Sequence, residues 1–164
     1  LHLLMGKIAA GKSTLSRELA AEPSTIVLSE DTWLARLFPG EVETADAYFR
    51  YAPRIRPVVG PLVGDLLRAG LSVAMDFPAN TMADRDWLKS LGDAAGARIV
   101  LHWLDVSDAI CLARLARRNA AGAHEFRPTV ESFHRLAALI DPPTPDEGLE
   151  IDYLPGFSRE PWIG

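Results

Sequence analysis

The sequence predicts an α/β domain of three layers, with helices on both faces of a parallel sheet. Three observations carry this expectation. Apolar runs of strand length alternate with helical patterns along the chain, the arrangement that builds βαβ units. The first run ends in Gly6-Lys7-Ile8-Ala9-Ala10-Gly11-Lys12-Ser13, a glycine-bearing segment from which a helix starts. No internal repeat or low-complexity tract breaks the alternation.

Taken in order, residues 1–5 are a short apolar run that meets Gly6 and read as a buried strand. A helix follows over 12–21, with Pro23 just beyond it, and 25–28 is a second buried strand. Ser29, Glu30 and Asp31 open a short helix that Pro39-Gly40 stops. Thr44 caps a further helical stretch, which Pro53 and Pro57 are expected to interrupt. Beyond them Val58, Val59, Leu62, Val63, Leu66 and Leu67 recur at spacings of three and four, the stripe of a packed helix. Gly70 is its stop. Residues 71–77 are the third strand, 83–95 a helix and 98–104 the fourth strand. Ser107 caps a helix to about residue 119, and 120–128 is a loop rich in Ala and Gly. A helix over 129–140, a rigid turn at Pro142-Pro143-Thr144-Pro145 and a last strand over 149–154 complete the chain.

The 164 residues suit one domain, 1–164, able to bury a core without staples. The single cysteine, Cys111, forms no intrachain disulfide, and a reducing, cytoplasmic setting is expected. No apolar run reaches bilayer-spanning length, and the N-terminal run leads into the glycine loop rather than a cleavage site. A net charge of −5 disfavours a nucleic-acid partner, which usually requires a basic face. Four histidines (His2, His102, His124 and His134) show no metal-ligand spacing, and Cys111 reads as a small buried apolar residue. Oligomeric state is not legible.

Gly6 to Ser13 matches GxxxxGK[ST] at every fixed position, between a buried strand and a helix start. Glycines let the backbone wrap around phosphate where side chains would collide. The backbone of Gly6, Lys7, Ala9, Ala10, Gly11, Lys12, Ser13 and Thr14 is therefore expected to cradle phosphates at the positive end of the helix dipole. Lys12 reaches the β- and γ-phosphates of ATP, and the Ser13 hydroxyl is a ligand for Mg²⁺.

With this loop in place the chain resembles small P-loop kinases of the zeta-toxin, chloramphenicol phosphotransferase and polynucleotide-kinase type. They fall in the nucleoside-monophosphate-kinase-like fold group. The likeness runs from Leu1 to about Leu154 and is nearest to the uncharacterised predicted kinases of that set. It implies a three-layer P-loop NTPase with a five-stranded parallel sheet in the order 2-3-1-4-5 and a small lid over about 117–130. It also implies roles for particular residues. Asp31, in Ser29-Glu30-Asp31-Thr32-Trp33, matches the acid that accepts the acceptor hydroxyl's proton, although a helix-capping carboxylate is the other reading. Asp76, closing an apolar strand, matches the acid that holds Mg²⁺; an acceptor contact or a turn carboxylate are its alternatives. Arg114, Arg117 and Arg118 lie near one helix face, and relatives use such arginines with a lid (here Ala120 to His124) to neutralise charge on the transferred phosphoryl group. Arg50, Arg54 and Arg56 lie where the fold group binds acceptor, and are either acceptor contacts or surface charges. Arg85 is either a further site contact or a surface ion pair. Tyr48, Phe49 and Tyr51 either stack on a ring or belong to the core.

The expected activity is ATP-dependent transfer of the γ-phosphate to a hydroxyl of a small-molecule acceptor. Two alternatives stay open: a polynucleotide or nucleotide-sugar kinase on the same fold, and a nucleotide-hydrolysing switch. The arginine-bearing helix and lid favour transfer, because they organise transition-state charge.

Overall fold

A computed structural model describes residues 1–121 and 128–157. Five strands form one sheet in the order β2-β3-β1-β4-β5, every neighbouring pair parallel, as the resemblance implied. The strands are β1 (His2–Gly6), β2 (Thr25–Ser29), β3 (Ser72–Pro78), β4 (Val100–Asp105) and β5 (Glu150–Pro155). The helices are α1 (Lys12–Ala20), α2 (Glu30–Leu37), α3 (Ala45–Arg68), α4 (Met82–Ala94), α5 (Asp108–Ala121) and α6 (Val130–Ala137), with a 3₁₀ turn at Pro145–Glu147.

Side chains of a strand alternate between faces, so a parallel sheet needs cover on both. Leu3, Met5, Val73, Met75, Phe77 and Leu101 pack into one buried cluster with Ile55, Val59 and Val63 of α3 and Leu88 of α4. Leu4 and Leu104 join the other, with Leu15 of α1, Cys111 and Leu115 of α5 and Phe133 of α6. The expectation for Cys111 holds: it is fully buried.

Two expectations about α3 need correction. It is one helix of 24 residues that runs through Pro53, Pro57 and Pro61. Each proline removes an amide and frees the carbonyl four residues back. A spacing of four puts all three on one stripe, and all three are exposed, so the freed carbonyls at 49, 53 and 57 face water rather than the core. The buried stripe is Ala52, Ile55, Val59, Val63 and Leu67, whereas Val58 and Leu62 are 61% and 36% exposed. Helix α6 also ends at Ala137, short of residue 140. Of the lid expected over about 117–130, residues 117–121 are the end of α5 and 128–130 lead into α6, while 122–127, His124 among them, lie outside the described residues. No helix among the described residues is long and apolar enough to cross a membrane.

Candidate active site

The segment between β1 and α1 requires its glycines. Gly6 and Gly11 have φ of 150° and 114°, and Ala9 also lies in the left-handed region at 61°. A Cβ on Gly6 would sit 2.8 Å from the Leu104 carbonyl oxygen, and one on Gly11 2.9 Å from the Phe157 ring. No side chain caps α1 at Gly11, so no capping side chain takes its first amides. Lys12 folds over the loop, donating from Nζ to the carbonyls of Gly6 at 2.6 Å and Lys7 at 2.9 Å. Burial lowers its pKa, against the opposing pull of Asp76 and Asp31. Lys7 turns away, donating to Val106 O at 3.1 Å and pairing with Asp108 at the start of α5.

The two acids expected at neighbouring strand ends are there. Ser29 of β2 is the register partner of Asp76 of β3, and Asp31 follows two residues later in the first turn of α2. Asp76 is half-buried. Burial pushes its carboxyl above the ordinary range, while Lys12 and a hydrogen bond from Ser13 pull it back. Asp31 is exposed, and its charge is felt by Lys12, Asp76 and Arg118. The Ser13 hydroxyl and the Asp76 carboxylate form a hard-oxygen pair suited to Mg²⁺. No group of three or more His, Cys, Asp or Glu side chains that could hold a metal occurs among the described residues.

The three arginines of α5 have different environments. Arg114 is half-buried behind the loop, donating to Ala10 O at 3.2 Å and Phe157 O at 3.1 Å. Arg117 is exposed and lines a shallow groove with Ile110, Ala113 and Arg114. Arg118 is half-buried and feels the charge of Asp31: burial lowers its guanidinium pKa, Asp31 opposes that, and its buried Nε has no partner among the described residues.

On the acceptor side the expected contacts scatter. Arg50 is exposed, and Arg54 lies over the Tyr51 ring at 5.0 Å. Arg56 donates to Asp84 at 2.5 Å and stacks over Trp87 at 4.5 Å. Arg85, expected as an acceptor or surface contact, is instead 1% exposed and bonded wholly within the protein. Its guanidinium is turned inward by Glu147. Tyr48 is neither free to stack nor simply apolar: its hydroxyl donates to Glu30 at 2.6 Å. Glu30 is a residue the sequence reading passed over. It is 2% exposed, and burial pushes its carboxyl up to about 7, with the Tyr48 bond opposing. Asn80 was also passed over; its Oδ1 accepts the Gly6 N–H at 2.9 Å.

A family profile described as an AAA domain matches residues 1–143. The chain belongs to that AAA-domain family. No curated protein matches it. Solved structures share its fold. A Chloroflexus aurantiacus protein described as a candidate kinase superposes with a TM-score of 0.72 at 20% identity, covering 94% of this chain and 86% of that one. A sugar kinase of Janibacter sp. gives 0.66 at 18%, covering 94% and 83%. A gluconokinase of Sinorhizobium meliloti gives 0.59 at 16%, covering 96% and 83%. At these identities the likeness establishes the P-loop kinase fold of the AAA-domain chain and no particular substrate.

Proposed function

We propose that this chain is a single kinase domain that moves the γ-phosphate of Mg-ATP to a hydroxyl of a small-molecule acceptor. The observation that supports it most is the convergence of Lys12, Ser13, Asp76, Asp31 and Arg118 on the mouth of one phosphate loop, each altering another's ionisation. Nucleotide hydrolases also use an arginine and a water-activating group here, so passage of label to an acceptor is what separates the two activities.

In this reading the amides of the loop and of the first turn of α1 take the phosphates, and Lys12 leaves its two carbonyls for phosphate oxygens. Ser13 and Asp76 hold Mg²⁺, which draws charge off the phosphates when bound. Asp31 orients the acceptor hydroxyl and accepts its proton as the O–P bond forms and the bond to the leaving diphosphate breaks. Arg118, whose buried Nε is unmet among the described residues, neutralises charge on the transferred group. Arg114 keeps the loop in shape, and Arg117 takes no part.

The reading is tested by incubating the chain with labelled ATP and a panel of sugars, polyols, aminoglycosides and nucleosides. Label should pass to one acceptor class. Arg118→Ala should then lower kcat at least about tenfold with Mg-ATP affinity held, while Arg117→Ala changes neither. Label released only as inorganic phosphate across the panel would favour the switch reading.

A further inference from the structure

Arg85 is the largest fully buried side chain among the described residues, and phosphate transfer as proposed makes no use of it. Its Nε and Nη2 donate to the two carboxylate oxygens of Glu147 at 2.5 and 2.9 Å. Its Nη1 faces the carbonyls of Asp141 at 2.8 Å, Ala79 at 3.3 Å and Asn80 at 3.4 Å. A buried guanidinium is costly unless its donors are met. Here its partners come from two places far apart in sequence: the turn after β3 and the segment after α6.

The turn after β3 is fixed from several sides. The Ala79 N–H donates to Leu4 O at 3.1 Å, and the Asn80 carbonyl accepts the Asp141 N–H at 2.9 Å. Glu147 in turn accepts the Thr144 N–H at 2.9 Å. From this held backbone the Asn80 side chain meets the Gly6 N–H, at the first residue of the phosphate loop. Side chains thus grip Gly6 at both polar groups, Asn80 at its N–H and Lys12 at its carbonyl. Once Lys12 turns to phosphate, the Asn80 bond is the side-chain tie that remains at the start of the loop. A loop held in its binding shape before the ligand arrives spends less affinity on ordering.

We propose that Asn80 is a positioning residue for the phosphate loop, and that Arg85 and Glu147 set the backbone from which it acts. The segment after α6 is thereby coupled to nucleotide affinity. This rests on the nucleotide-binding reading above and extends it to residues that touch no substrate.

The test uses the full chain, with Mg-ATP binding followed by calorimetry and exchange of the Gly6 amide followed by NMR. Asn80→Ala should weaken binding roughly three- to tenfold, the effect of one lost hydrogen bond, and should expose the Gly6 amide to exchange. Glu147→Gln should weaken binding in the native background and add nothing in the Asn80→Ala background, because both act through one tie. If Glu147→Gln does not fold, Arg85→Lys carries the same comparison. Native affinity and native Gly6 protection in Asn80→Ala would overturn the proposal. So would a Glu147→Gln chain that melts earlier yet binds as tightly as the native protein, since the clamp would then serve stability alone. A native chain that binds no Mg-ATP would remove the nucleotide reading itself, a result separable from either of these.

Discussion

Asp31, in the first turn of α2 just past β2, and Asp76, near the end of the adjacent β3, differ in burial: one is exposed and the other half-buried beside Lys12 and Ser13. Their substitutions should therefore part. Asp31→Asn keeps size and hydrogen bonding but loses the proton acceptor, so kcat should fall about a hundredfold with Mg-ATP binding intact. Asp76→Asn should instead raise the magnesium concentration needed for half-maximal turnover. Titrating turnover with magnesium in both variants checks this, and the opposite pattern would reverse the two roles. Glu30 supports a prediction about pH. It is faced by Tyr48 and Arg56 of α3, Asp84 of α4 and its neighbour Asp31, and its carboxyl is raised from 4.5 to about 7, chiefly by burial. Because the folded value lies above the unfolded one, folding favours the protonated form. That stabilisation is complete below the ordinary carboxyl range and is lost as pH rises through about 7. The native melting temperature should fall relative to that of Glu30→Gln between about pH 5 and 8, and parallel curves would count against it. Asp31 and Asp76 were legible because a strand end marks them. Glu30 was not, because an acid in a helix's first turn reads as an exposed cap and its burial comes from Tyr48, eighteen residues on. Asn80 was hidden for the same reason, its partner lying 74 positions away.

At the level of elements, α3 and α4 show how backbone rules and packing compete. The reading that prolines stop a helix applies to a buried helix interior. Here the spacing of 53, 57 and 61 carried the opposite message, since three prolines on one exposed stripe leave the other face free to pack. Alternation made most elements legible, and Thr44 accepts an amide at its helix start as expected; Ser29, Thr81 and Thr129 do the same at theirs. Sequence could not say which glycine a helix needs for contact. A Cβ at Gly92 of α4 would lie 2.6 Å from Ile99 Cγ1 and 3.2 Å from Leu1 Cδ2, both side chains packed in the interior. At Gly64 of α3 the nearest atom is Arg68 Nη2 at 3.0 Å, the far end of an exposed side chain. Both sites are helical, Gly64 one turn from the end of α3 and Gly92 in the last turn of α4, and alanine in a helix is better than glycine by up to about 1 kcal/mol. Gly64→Ala should therefore stabilise by up to about 1 kcal/mol, while Gly92→Ala should destabilise by roughly 1–3 kcal/mol because overpacking outweighs propensity. Urea denaturation of the two variants measures both, and equal shifts would mean that the β4 end of the sheet yields more than its packing implies.

Across the whole molecule, the site is shared between the two sides of the sheet. Asp31 and Asp76 come from the β2–β3 side, while the loop leaves β1 and the arginines come from the helix after β4. Ligands of such sheets lie at the carboxyl ends of strands, and the phosphate loop was legible because its motif encodes that position. Strand order was not, since periodicity gives strands without neighbours; it came with the family likeness. On the proposed reading Lys12 serves the nucleotide and adds little to the stability of the free protein. Its amine is half-buried with a lowered pKa, and its two bonds are to loop carbonyls that phosphate is expected to replace. Removing it relieves a desolvated cation but leaves Asp76 without its main opposing charge. These effects have opposite signs, so the ligand-free melting temperature of Lys12→Ala should stay within about 2–4 °C of the native value, a difference of roughly 1 kcal/mol. The liganded protein should behave differently. A ligand at a hundred times its dissociation constant stabilises the folded state by about 2.7 kcal/mol, which raises the melting temperature of a chain this size by roughly 5–10 °C. Native protein should show that rise with Mg-ATP, and Lys12→Ala should lose it at the same nucleotide concentration. A Lys12→Ala chain that melts far earlier without ligand would make Lys12 part of the fold's support. One that keeps the full rise would take the lysine out of nucleotide binding.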